Sequence, residues 1–122
     1  MGLDWELNLD FKAANIFRNY LLAPHHPNLI ELEWWWLEEF GEVIVTSAFR
    51  FGDKGVHGQN PLRGIDFRSW IYNNPEGMEK HANSIWIYDP KRPKKKCVIL
   101  HSVRSKGIHF HLQVSSQTIK QY

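Results

Sequence analysis

The chain has almost no cysteine: in 122 residues Cys97 stands alone, so no internal disulfide can form and the fold does without an oxidising compartment. It also lacks any apolar run near the ~20 residues that a membrane-crossing helix needs, which argues against a membrane partner. The opening MGLDWELNLDFK has neither the basic nor the apolar segment of a secretory leader, so cytoplasmic synthesis without a signal peptide is expected. Repeats and low-complexity tracts are missing too, and one domain spanning 1–122 is expected. Charge is nearly balanced at +2, which permits an anionic partner without requiring one. What the chain does have is tryptophan, six of them, and seven histidines.

Helical spacing of Phe11, Ala14, Phe17 or Arg18, and Leu21 predicts a first helix from Asp10 to Leu22, with Asp10 as N-cap. A second runs from Asn28, paired with Glu31 as a capping box, to a stop at Gly41. Its apolar stripe is Leu29, Leu32, Trp36 and Phe40, with Trp34 and Trp35 projecting elsewhere. Short β-branched runs predict strands at Val43–Ala48 and around Gly64–Arg68, joined by a Gly- and Pro-containing loop. Pro75 opens a third helix reaching Ile87, and Cys97–Val103 with Ile108–Ser115 forms a hairpin. The class is α+β, a small antiparallel sheet with helices on one side.

The hairpin carries the chemistry. Val98, Leu100, Phe110, Leu112 and Val114 alternate with His101, His109, His111 and Gln113, so the histidines share the face opposite the core. A three-residue loop Ser105–Lys106–Gly107, with Gly107 left-handed, pairs Arg104 with Ile108 and sets His101 opposite His111. Asp66, between Ile65 and Phe67, faces away from the core by the same rule, and His57 lies on the loop leading in. A carboxylate among apolar neighbours is costly without a partner, and histidines converging on it make a metal ion a natural one.

At these residues the sequence resembles the zinc D-Ala-D-Ala carboxypeptidase family, whose fold is shared with the hedgehog signalling domain and several phage endolysins. The resemblance rests on Thr46-Ser47-Ala48-Phe49-Arg50, on His57 followed by Arg63-Gly64-Ile65-Asp66, and on His109-Phe110-His111. It implies zinc held by His57, Asp66 and His111, with Arg50 polarising the substrate carbonyl and, with Ser47, contacting substrate. The implied activity is cleavage of peptidoglycan stem peptides by a phage or prophage protein that reaches the wall when released or carried by the phage. Three residues before His111, where the family has an acidic base, stands Ile108. Proton transfer is therefore expected from His109, with His101 and then Asp53 as the next candidates. The rival readings are a non-catalytic zinc-binding module of a phage particle and a nucleic-acid binder using Lys91–Lys96. That basic run lacks interleaved aromatics and reads as a solvated loop, and Cys97 reads as an inert thiol.

Overall fold

A computed structural model describes residues 7–103 and 107–121. The chain runs β1 (Asn8–Phe11), α1 (Ala14–Leu21), α2 (Pro27–Phe40), β2 (Glu42–Ser47), a 3-10 turn (Val56–Gly58) and β3 (Gly64–Arg68). It continues through α3 (Pro75–Ile85), β4 (Trp86–Ile87), β5 (Val98–Val103), β6 (Gly107–Gln113) and β7 (Ile119–Lys120). The α+β class holds. The main sheet has five strands in the order β1-β2-β3-β6-β5, and β4 pairs with β7 apart from it. It is mixed, not antiparallel, because β1 runs parallel to β2.

That strand corrects the first helix. Asp10 and Phe11 belong to β1, where Phe11 pairs with Val45 and meets Phe17 and Tyr20 of α1, and the helix starts only at Ala14. On α2 the cap is His26, whose Nδ1 accepts from the Asn28 N–H, with Pro27 in the first turn. Asn28 instead donates its side-chain amide to the Ser115 carbonyl, tying the helix start to the end of the chain. Gly41 ends α2 with φ of 81°, a left-handed conformation that glycine adopts without cost.

The inner sheet face is apolar and continuous. Val43 and Val45, Ile65 and Phe67, Phe110 and Leu112, and Val98 are all buried against Leu29, Leu32 and Trp36 of α2 and Ala82 of α3. Trp36 is central, with Phe110 at 4.8 Å and Phe67 at 5.8 Å, and its indole N–H donates to the Tyr72 hydroxyl. Off that stripe, Trp35 is buried between Phe40 and Trp86, whereas Trp34 is half exposed. The third helix stops two residues before Ile87, because Trp86 and Ile87 turn into β4. With three helices feeding one face, the opposite face is left for a site.

Candidate metal centre

Asp66 sits at the middle of β3, paired with His111 of β6 on one side and Ser47 of β2 on the other. The hairpin keeps the predicted parity, so His101, His109 and His111 do share the outer face. Its register is shifted by two residues: His101 pairs with His109, and Ile99 with His111. Ile108 accordingly pairs with Ser102 rather than Arg104; Arg104, Ser105 and Lys106 lie outside the described residues. Gly107 is left-handed as expected, at φ of 72°.

His57 arrives from the loop between β2 and β3, buried on its 3-10 turn. The turn is held from both sides. Arg50 N–H donates to the His57 carbonyl at 2.7 Å, and Arg63 N–H to that of Val56. Asp53 staples the same loop, accepting from the Gly55 N–H at 2.6 Å and pairing with Arg50 Nε at 3.1 Å. Gly58 is obligatory here, since an added Cβ would meet the Asp53 carbonyl oxygen at 1.7 Å. Asp53 is thus a structural clamp, and it does not line the cleft.

Three ligand atoms, one each from His57, Asp66 and His111, lie within 4.8 Å of one another. His57 Nε2 is 3.1 Å and His111 Nδ1 2.8 Å from the same carboxylate oxygen, Oδ1 of Asp66. The far side of each ring decides what these atoms are. His57 Nδ1 lies 2.9 Å from the Ala48 carbonyl, which can only accept, so this nitrogen carries the proton. His111 Nε2 lies 3.2 Å from Gln113 Oε1, and the Gln113 amide is oriented by its own N–H donating to the Lys96 carbonyl at 2.9 Å. His111 Nε2 is therefore the donor. With both rings neutral, two imidazole lone pairs and a carboxylate oxygen converge on one point. Only a cation between them, a metal ion or an added ring proton, turns that convergence into attraction. The donor set fits a metal ion, and these three residues could hold one.

Burial alone would push the Asp66 carboxyl up; once a proton is added to the rings, hydrogen bonds from His111 and His57, and their charge, outweigh it and hold the group well below the usual carboxylate range. His109 Nε2 is 3.7 Å from the second oxygen, Oδ2. His101 meets His109 edge-on with ring centroids 4.5 Å apart, and its Nε2 is buried without a hydrogen-bond partner. Desolvation, followed by the neighbouring His109, pushes the His101 imidazole down.

The group forms the floor of an open cleft of about 480 Å³. Ser47, Arg50, His101 and His109 all line it, so of the residues expected from the sequence only Asp53, the last candidate for proton transfer, stays outside. Thr46, Lys12, Arg68, Trp70 and Ile108 line it as well and were not expected. Arg68 was within reach of the sequence, being two residues from Asp66 on the same strand face. Gln113 was recognised only as a polar neighbour; its place two residues beyond His111 was the available signal. Cys97 is fully buried, its thiol pushed up to about 12 by burial, which leaves no nucleophile there. Lys91–Lys96 form an exposed turn in which Arg92 pairs with Asp89 and, with Lys95, lies over Tyr88. Comparison with protein-family models, curated proteins and solved structures finds no match for this chain.

Gln113→Leu, nearly the same size, removes the acceptor behind His111 and frees the ring to flip or change tautomer. Metal affinity is expected to fall about 10- to 100-fold with little change in far-UV circular dichroism. Unchanged affinity in a competition titration would show that Gln113 does not set the ligand.

Proposed function

We propose that the protein is a zinc-dependent peptidase of the D-Ala-D-Ala carboxypeptidase type, with that family's hedgehog-like fold, acting on peptidoglycan stem peptides and encoded by a phage or prophage. The observation that carries this reading is the convergence of the His57, Asp66 and His111 donors on the floor of an open cleft lined by Arg50 and two further imidazoles. The motif residues Ser47, Arg50, His57, Asp66 and His111 support it in their order along the chain. Two imidazole nitrogens and one carboxylate oxygen are a donor set that zinc takes in catalytic sites, where a further position stays open.

Zinc held there would supply Lewis-acid polarisation of a peptide carbonyl and lower the pKa of water. The remaining work falls to the chain's own groups. Arg50 pairs its Nε with Asp53 and lines the cleft, where it takes up charge developing on the scissile carbonyl oxygen. Ser47 lines the same wall and contacts the substrate backbone. His109, beside Asp66 Oδ2, accepts the proton released as water attacks.

The exposed Ile108 favours a second reading, a non-catalytic zinc-binding module of a phage particle. Incubating zinc-loaded protein with stem-peptide substrates and following products by mass spectrometry separates the two. Cleavage is expected, stopping on chelation, and Arg50→Lys is expected to slow it about 100-fold while melting is unchanged. Zinc retained with no cleavage of any stem peptide would favour the module.

A further inference from the structure

We propose that Lys12 and Arg68 form a subsite for a carboxylate on the bound peptide, so that the cleft selects acidic ligands. This deepens the peptidase reading by naming the ligand class, and for the peptide nature of the ligand it rests on that reading.

The subsite follows from strand geometry. Side chains alternate along β3, so Arg68 shares the outer face with Asp66 and stands level with His109. Its guanidinium lies over the Trp70 ring at 4.8 Å, which holds the cation beside that indole. The residue between them, Ser69, is buried and donates its hydroxyl to the Ile108 carbonyl at 2.8 Å. That bond fastens the Trp70 segment to β6, so a 73 % exposed indole and a 58 % exposed isoleucine stand together on the cleft wall. Large apolar groups held out to solvent beside a fixed cation suit the apolar stem and charged head of an acidic residue. Lys12 enters from the β1 side, its N–H bonded to the Val45 carbonyl at 2.9 Å, and lines the same cleft.

Charge accounting points the same way. Among the described residues neither Lys12 nor Arg68 has a carboxylate within 4.0 Å. Asp10 accepts from its own strand's Phe11 N–H and Asp53 holds Arg50; neither lines the cleft. Asp66 is the one carboxylate in the lining, and it is committed to histidines. With Arg50 paired to Asp53, two cationic side chains without a carboxylate partner, Lys12 and Arg68, face a cleft with a single buried anion, and the field there attracts a negative group. A nucleic acid fits less well: the cleft offers one indole for stacking, and the Arg92 and Lys95 side chains lie over Tyr88, outside it.

The test uses two neutral-ended peptides, acetyl-Ala-Glu-Ala-amide and acetyl-Ala-Gln-Ala-amide, titrated into chelated and zinc-loaded protein and followed by NMR at the Trp70 indole. The Glu peptide is expected to bind about tenfold tighter in both forms, with the margin shrinking as salt is added. Lys12→Glu, at an exposed position, and Arg68→Gln are each expected to remove most of it. Equal binding of the two peptides, or a preference that survives in both variants, overturns the subsite; so does a ten-residue oligothymidine that binds tighter than the Glu peptide and displaces it. Failure of the peptidase reading looks different: the Glu preference persists while zinc is not retained or no stem peptide is cut.

Discussion

Adding zinc to the chelated protein is expected to raise its melting temperature by about 10–20 °C, and Asp66→Asn is expected to abolish most of that rise. A ligand that binds only the folded chain at a thousand times its dissociation constant stabilises by about 4 kcal/mol. In a domain of this size each kcal/mol moves melting by roughly 3–5 °C. The donors of His57, Asp66 and His111 come from a loop, a strand and a hairpin, so the unfolded chain has no comparable site. Asparagine keeps the shape of Asp66 but removes the negative charge and places an amide between two imidazoles. The substitution also changes the metal-free protein, which is why the quantity to compare is the zinc-induced shift within each protein by differential scanning calorimetry. Neutral pH is the right condition. With a proton added to the rings beside it, the Asp66 carboxyl is held below its unfolded value, so that contribution is lost as pH falls through the folded value, and above the ordinary carboxylate range Asp66 is ionised and able to ligate. An equal shift in both proteins, or none in the unaltered chain at millimolar zinc, would remove Asp66 from the metal centre.

The site was more legible in the sequence than the sheet that builds it, and the reason is periodicity. Ile65-Asp66-Phe67 and the alternating hairpin fix which face each side chain takes, and face survives any register error of two residues. That is what happened: the pairing of His101 moved from His111 to His109, and both stayed over Asp66's side of the sheet. The loop length that sets register has no such redundancy. Asn8–Phe11 was harder still. Four residues next to a helix share its spacing by chance, and what makes them a strand is a parallel pairing with Glu42–Val45, more than thirty residues away. Trp35 reads as off the apolar stripe because the stripe was drawn for one contact surface, whereas α2 packs against Trp86 as well as the sheet. The staple of Asp53, the Gln113–Lys96 bond behind His111 and the Ser69–Ile108 bond are tertiary contacts between segments whose approach no local pattern encodes.

His109→Ala is expected to keep the metal and lose about 10²- to 10⁴-fold in peptide hydrolysis, the range for removing a positioned acid–base group. Its Nε2 is 3.7 Å from Asp66 Oδ2, near the donors without being among the three that converge. The side chain stands on the cleft side of β6, two residues before His111, so its ring borders the space where a carbonyl and an attacking water would meet. Ile108 offers no proton acceptor, and Asp53 is occupied by Arg50 and Gly55 at the loop. His101 is the remaining rival. Its Nε2 is buried without a partner and its imidazole is pushed down by burial, which makes it the better packing partner for the His109 ring and the poorer group to meet a substrate. The paired variant therefore discriminates: His101→Phe, which keeps an aromatic ring against His109, should retain most activity. Metal content by elemental analysis is read on both variants beside turnover. If His109→Ala hydrolyses stem peptides at the unaltered rate with zinc in place, the proton acceptor is elsewhere; if His101→Phe alone loses it, the roles of the two histidines are exchanged.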